Sequence, residues 1–269
     1  MWNNLLKICR SYPSLLVAFS GGVDSALVAY AASKAVKGPV LLVFCRTELT
    51  TDTEEEQAQN LATQLKLPLY LTKLAVLTLP EVANNRRERC YACKRALLSH
   101  LCLLAAEKGL AQVAEGSNAD DLRLGKRPGQ QACIELNILQ PLAEAAIGKQ
   151  DVRNLAKEFG LPNHDQPARP CLATRFPYNT LLKPELLSRV AAGEQVLANL
   201  GCQEFRLRIH GDICRIETTL AERELIMRNS GHIEKALLAL GWSFATYDLG
   251  GLKSGCYDEK SISEGVAYG

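Results

Sequence analysis

A chain of 269 residues, 47% hydrophobic and 22% charged, is long enough for one large domain or two and apolar enough to bury a core, which excludes a disordered protein. Its 31 basic and 29 acidic residues leave a formal net charge of +2, which argues against a broad nucleic-acid surface while allowing a local basic pocket. No run approaches the ~20 apolar residues that span a bilayer, and residues 1–10 form a short amphipathic segment without a signal-peptide core. The expected location is the cytoplasm, away from membranes, with the ten cysteines reduced rather than paired.

The first expected strand, 15–19, reads Leu-Leu-Val-Ala-Phe and runs directly into Ser20-Gly21-Gly22-Val23-Asp24-Ser25, after which 25–36 has helical spacing. A glycine turn between a strand and a helix N-terminus is an anion site, because bare N–H groups and the helix dipole point at it. Ser20 and Ser25 add hydroxyl donors, and Asp24 is placed to hold a Mg²⁺ that bridges phosphates. Gly-Lys-Ser/Thr is absent, so this is not a loop that transfers a γ-phosphate. The hexapeptide resembles the PP-loop of ATP pyrophosphatases, which cradle the β,γ-pyrophosphate while an oxygen nucleophile attacks the α-phosphorus. The implied chemistry is adenylation.

Further strands are expected at 40–45, 68–72, 111–115 and 134–139, separated by helices at 53–66 and 91–108 and followed by one at 149–160. This alternation reads as an α/β fold, a doubly wound parallel sheet, with ligands beyond the carboxyl ends of the strands. Both the 20–25 loop and Glu115-Gly116-Ser117-Asn118-Ala119-Asp120-Asp121 lie at such ends. Residues 161–177 carry four prolines, cannot form a regular element, and mark a junction. The expected domains are 1–165 and 178–269, joined by the 166–177 segment that holds Cys171. The smaller C-terminal domain reads α+β: a helix at 183–200, a hairpin of 205–209 and 213–218 turning at 210–212, helices near 219–229 and 231–240, and a strand at 243–249.

Cys90 and Cys93 form a Cys-x-x-Cys at a helix start, but ten cysteines give about 0.4 such pairs by chance, so the spacing alone is weak. Cys93 continues into Leu97, Leu101 and Leu104 as a buried stripe would. Cys90 follows Arg86-Arg87-Glu88-Arg89, and positive neighbours at a helix N-terminus favour a thiolate. Cys171 sits between Arg169 and Arg175 in an irregular segment, where flanking cations make a cysteine more reactive. The other seven cysteines fit small buried apolar residues. Arg206 and Arg208, two apart on a strand, share a face opposite Phe205, Leu207 and Ile209 and make a basic patch suited to a nucleotide phosphate.

Taken together, SGGVDS at 20–25, RCYACK at 89–94, EGSNADD at 115–121, RPG at 127–129, PARPCLATRFPY at 167–178, FRLRIHGDICRIE at 205–217 and YDLGGLKSG at 247–255 resemble the LarE family. These are the ATP-dependent sulfur transferases of nickel-pincer nucleotide synthesis. The resemblance implies adenylation of a carboxylate of pyridinium-3,5-biscarboxylic acid mononucleotide, release of pyrophosphate, and displacement of AMP by sulfur. It implies ATP contacts from Ser20, Gly21, Gly22, Asp24, Ser25, Gly116 and Asn118, with Mg²⁺. Substrate-phosphate contacts fall to Arg175, Arg206 and Arg208, with Glu194 and Glu217 nearby.

In one subtype the cysteine matching Cys171 is the consumed sulfur donor. In another it joins the Cys-x-x-Cys pair to ligate a [4Fe-4S] cluster, and the presence of Cys90, Cys93 and Cys171 favours this subtype. Three thiolates on four irons leave one iron to carry a replaceable hydrosulfide. The implied partners are ATP, a small nucleotide, a sulfide source and further copies of the chain. The loop 122–129 is longer by one residue than is usual for the family. A PP-loop tRNA thiolase is the alternative, but it calls for an RNA-binding module and a strongly basic face. A redox sensor without turnover and an ammonia-using ligase, which has no need of Cys171, also remain open.

Overall fold

The computed structural model of the chain describes residues 1–123, 128–253 and 257. The chain divides into two compact units, Met1–Val82 with Glu88–Ala168, and Ala83–Arg87 with Arg169–Gly269.

The first unit opens with α1 (Trp2–Arg10), β1 (Leu15–Ala18), α2 (Val23–Ala35), β2 (Val40–Arg46), α3 (Asp52–Leu65), β3 (Leu69–Lys73) and α4 (Pro80–Ala83), whose last residue falls to the second unit. It continues with α5 (Arg89–Glu107), β4 (Gln112–Ala114), α6 (Ala119–Arg123), α7 (Pro128–Glu135), α8 (Pro141–Glu144) and α9 (Lys149–Glu158). The four strands are parallel in the order β3-β2-β1-β4. β1 is apolar at every position because both of its faces are covered. Leu15 and Val17 pack with Leu27 of α2 and Val152 of α9 on one side. Leu16 packs with Leu98 and Leu101 of α5 on the other. The order reverses between β1 and β4, so the loops that follow these two strands face each other at the switch point of the sheet.

One expected strand does not form. Residues 134–139 are the end of α7 and a turn through Asn137, whose φ is 49°. Only Leu139 pairs, in a single parallel bridge with Ala114. Burial around this stretch follows helical and turn spacing: Ala132 and Cys133 just before it, and Leu136 and Ile138 within it, pack with Leu98 and Leu101, while Ile134 is 72% exposed. The doubly wound parallel sheet itself is as expected.

The second unit contains α10 (Pro184–Asn199), β5 (Phe205–His210), β6 (Ile213–Thr218), α11 (Arg223–Arg228), α12 (Ser230–Ala239) and β7 (Phe244–Tyr247). β5 and β6 form an antiparallel hairpin that turns through Gly211 at φ 61°, and β7 adds in parallel to β6. The proline-rich segment is irregular apart from one 3₁₀ turn, Leu172–Arg175. Residues 83–87 are stitched into this unit. The buried Asn85 donates to the carbonyls of Phe176 (3.2 Å) and Pro177 (2.8 Å), and Leu182 N–H donates to Ala83 O (2.7 Å).

Gly193 lies inside α10, where alanine normally stabilises a helix. Here a Cβ would sit 2.5 Å from Leu207 Cδ2 and 3.2 Å from both Leu237 and Trp242. Overpacking wins, and Gly193→Ala is expected to cost about 1–3 kcal/mol, read as a lower urea midpoint.

Candidate functional site

The loop after β1 is preorganised from its own sequence. Gly21 adopts φ 77°, and Asn163, buried, donates its side-chain amide to Gly21 O at 2.9 Å. Ser25 Oγ bonds Gly22 O (3.0 Å) and Ser20 Oγ (3.2 Å). No side chain caps α2 at Gly22, so its first turn offers backbone N–H groups to an anion. The loop after β4 comes against this turn at Gly116, where an added Cβ would lie 2.9 Å from Ser25 N and 3.1 Å from the Asp24 carbonyl carbon.

These two loops wall a cavity of about 390 Å³, within the usual range for a small-molecule site. Ser20, Gly22, Asp24, Ser25 and Gly116 line it. Gly21 and Asn118 do not. Gly21 is buried against Ala58, and Asn118 is buried with its amide donating to Asp24 Oδ1 at 3.0 Å. Of the seven expected nucleotide contacts, five are therefore wall and two are support.

Asp24 is not an open carboxylate. Its Oδ2 is paired with the ammonium of Lys149, the first residue of α9. Composition did not single out Lys149, but a signal existed: a lysine at a helix N-terminus opposes the dipole. Asp120 offsets that by accepting Lys149 N–H at 2.7 Å. Sequence reasoning also passed over the network flanking the cavity. Lys94, the residue after Cys93, reaches Glu115 at 3.2 Å, and Gln140 donates to Glu115 at 2.6 Å. Burial opposes the Lys94 charge, but Glu115 and Cys133 outweigh it and raise its pKa.

Cys90 and Cys93 lie one turn apart in the first turns of α5, Cys90 exposed and Cys93 half-buried, while Leu101 and Leu104 below them are buried. The buried stripe thus begins below Cys93. Other described cysteines behave as core: burial pushes Cys9, Cys45, Cys133, Cys202 and Cys214 up to about 11. No disulfide joins the described cysteines, and within either unit no three described His, Cys, Asp or Glu side chains gather as a metal site.

In the second unit Cys171 is half-buried at the start of the 3₁₀ turn. Arg175, 4% exposed, holds the loop around it, donating to Pro170 O (2.7 Å), Cys171 O (3.3 Å) and Thr174 Oγ1 (2.9 Å). The same guanidinium makes a two-pronged pair with Glu194 at 2.7 and 2.9 Å. Arg208 is buried, paired with Glu217 at 3.1 Å, and donates to Thr174 O and Lys253 O. Glu217 also takes Arg215 at 2.7 Å. The arginine face of β5 is therefore covered, not solvated. Burial, with Arg175 and Arg208 alongside, pulls Arg206 down to about 10. Asp248 also reaches Arg215 at 3.4 Å, and Glu194 and Glu204 offset part of the repulsion at Arg206. Arg127, Ser254, Gly255 and Cys256 lie outside the described residues.

Among known proteins, the asparagine synthase family model matches residues 7–194. The pyridinium-3,5-bisthiocarboxylic acid mononucleotide synthase of Lactiplantibacillus plantarum is 35% identical over 93% of this chain and 91% of its own. An uncharacterized protein of Synechocystis sp. is 34% identical over 94% of each chain. One from Methanocaldococcus jannaschii is 30% identical over 80% of this chain and 81% of its own. Among the described residues no helix is long and apolar enough to cross a membrane.

Two outcomes follow from the geometry. Gly116→Ala must push backbone against backbone at Ser25. It is expected to weaken nucleotide binding at least ~10-fold, measured by equilibrium titration. At pH 8 a thiol held near 11 is about one part in a thousand thiolate. Cys9, Cys45, Cys133, Cys202 and Cys214 should therefore resist iodoacetamide until the chain is unfolded, while exposed Cys90 is labelled in the native state, as peptide mass mapping would show.

Proposed function

This chain belongs to the LarE family within the PP-loop superfamily, and on that premise we propose that it sulfurates a carboxylate of pyridinium-3,5-biscarboxylic acid mononucleotide. It is an ATP-dependent enzyme. One observation carries the reading of the first half-reaction. The uncapped first turn of α2 and the Gly116 loop meet at the switch point of the sheet, around a cavity of nucleotide size. Ser20, Gly22 and Ser25 hold the β,γ-pyrophosphate of ATP, and Asp24 would hold a Mg²⁺ that supplies positive charge to the phosphates. Gly21 and Asn118 fix the loop and the carboxylate. A substrate carboxylate oxygen attacks the α-phosphorus, the bond to pyrophosphate breaks with its electron pair, and an acyl adenylate forms. A sulfur nucleophile then displaces AMP.

The second unit takes the substrate phosphate. Arg206 supplies the closest match to an anion-seeking group, because its charge is buried beside two other guanidinium groups. Arg175 and Arg208 frame it from their carboxylate pairs with Glu194 and Glu217. That unit is also the one we assign to assembly with further copies of the chain. The enzyme acts in the cytoplasm, on a small molecule rather than on nucleic acid.

Sulfur delivery falls to Cys90, Cys93 and Cys171. The donor chemistry fits a cluster: Cys90 is exposed and Cys93 and Cys171, like Cys102, are half-buried, so these thiols are not locked in the core, and thiolates are the ligands that iron–sulfur clusters take. A [4Fe-4S] cluster bound by the three thiolates would supply a replaceable sulfide, renewed by an outside source. Arg175 keeps the Cys171 backbone in place for this task.

The test is anaerobic purification followed by iron and acid-labile sulfide analysis, with intact mass before and after turnover. The expected result is about four irons per chain, lost in Cys90→Ala, Cys93→Ala and Cys171→Ala, with unchanged protein mass after turnover. Iron retained without Cys171 rules out the three-cysteine site. Loss of the elements of H₂S from Cys171 would instead identify it as a consumed donor.

A further inference from the structure

The helix that follows β2 brings one carboxylate to the wall of the nucleotide cavity. α3 is capped at Thr51 by a reciprocal exchange with Glu54. Thr51 Oγ1 accepts the Glu54 N–H at 3.3 Å, while Glu54 Oε2 accepts the Thr51 N–H at 2.7 Å and the Thr51 hydroxyl at 3.0 Å. That exchange orients the Glu54 side chain and occupies Oε2. Oε1 takes no hydrogen bond or ion pair from the described residues. Two neighbouring carboxylates, Asp52 and Glu55, are engaged on Arg46. Glu54 is half-buried and lines the cavity. Its place along the wall follows from Ala58, four residues on and on the same face of α3. The Ala58 backbone packs on the phosphate loop, where a Cβ on Gly21 would lie 3.2 Å from Ala58 N and Cα. Glu54 therefore stands one helical turn, about 5.4 Å, from that contact.

The cavity thus has a charge direction. On its α2 wall, Ser20, Ser25 and the uncapped first helical turn favour an anion. On its α3 wall a carboxylate repels one. Val43, Phe44, Cys45 and Leu98 add apolar lining that suits a base. A triphosphate held by the loop therefore points away from Glu54, and the group that meets a fixed acceptor one turn from the loop is an uncharged donor. The ribose hydroxyls of ATP are such donors, set between the phosphates and the base. We propose that Glu54 selects ribonucleotides, with Oε1 accepting a hydrogen bond from a ribose hydroxyl. A deoxynucleotide would cover the same carboxylate and leave it without a donor, and a covered charge left unpaired costs more than a missing contact. The inference rests on the reading of this cavity as an ATP site and adds a specificity-determining residue to it.

The experiment titrates the intact wild-type chain, Glu54→Gln and Glu54→Ala with ATP, 2′-deoxy-ATP, 3′-deoxy-ATP and inosine triphosphate, with Mg²⁺ and without the carboxylate substrate. Wild type should bind at least one of the two deoxynucleotides about tenfold more weakly than ATP. Glu54→Ala should weaken ATP about tenfold and leave that deoxynucleotide nearly unchanged, so that the discrimination collapses. Glu54→Gln, which retains a capping box but not the charge, should fall between the two, with ATP weakened about threefold. An equal loss for ATP and both deoxynucleotides in the variants reduces Glu54 to a helix cap and overturns the proposal. Wild-type binding that does not distinguish ATP from either deoxynucleotide overturns it as well. Discrimination that survives both substitutions while the Mg²⁺ dependence changes makes Glu54 a cation ligand and overturns the ribose contact. If inosine triphosphate, which lacks the exocyclic amine, is the nucleotide that Glu54→Ala leaves unchanged, the carboxylate reads the base and the ribose assignment fails. Failure of the wild-type chain to bind ATP at all is a separate outcome and overturns the ATP-site reading beneath the proposal.

Discussion

Gly116 touches the first turn of α2 with no side chain between the two backbones, and a single added carbon would stand 2.9 Å from Ser25 N. Much of the first unit serves that contact. The β3-β2-β1-β4 order sets the ends of β1 and β4 side by side. The all-apolar β1 is pinned between α2 and α5, so its carboxyl end cannot drift. Asn163 ties Gly21 from the far end of the unit, and Asn118 reaches from one loop to Asp24 on the other. The result is a rigid anion cradle, which suits a reaction whose transition state gathers charge on phosphate oxygens.

The second unit solves a different problem with the same material. Arginine suits a phosphate or carboxylate because of its planar fork, but several buried guanidinium groups repel one another. Glu194 and Glu217 offset this, each serving two partners: Glu194 holds Arg175 and the Leu207 N–H, and Glu217 holds Arg208 and Arg215. Asp248 adds a further carboxylate at Arg215, and burial remains the largest influence that lowers the pKa of Arg206.

The architecture was legible wherever one period dominated. The parallel sheet, its order of helices and the C-terminal hairpin all follow from apolar runs and turn residues. The stretch 134–139 was not legible, because Ile134 and Ile138 alternate with polar residues as an edge strand would, while burial there follows a helix and a turn. Cys93 shows the converse: helical spacing placed it on a stripe with Leu97, Leu101 and Leu104, but the stripe becomes core only from Leu101 onward. The hexapeptide drew attention to the loop whose Ser20, Gly22, Asp24 and Ser25 line the cavity, since glycine and serine at those positions have a direct physical use. What could not be read is which of them faces the cavity and which supports it. Lys149 and Asn163 are the clearest cases, because their partners are more than a hundred residues away. Arg175 and Arg208 were legible as charges but not as buried charges already holding carboxylates.

The account turns on where ATP is cut. A quenched reaction with the purified chain, Mg²⁺, the biscarboxylic mononucleotide and ATP labelled at the α-phosphorus, resolved by chromatography, reads this directly. The cradle described here predicts label in AMP, with pyrophosphate released in equal amount and only when the carboxylate substrate is present. Label recovered in ADP, with inorganic phosphate as co-product, would contradict it.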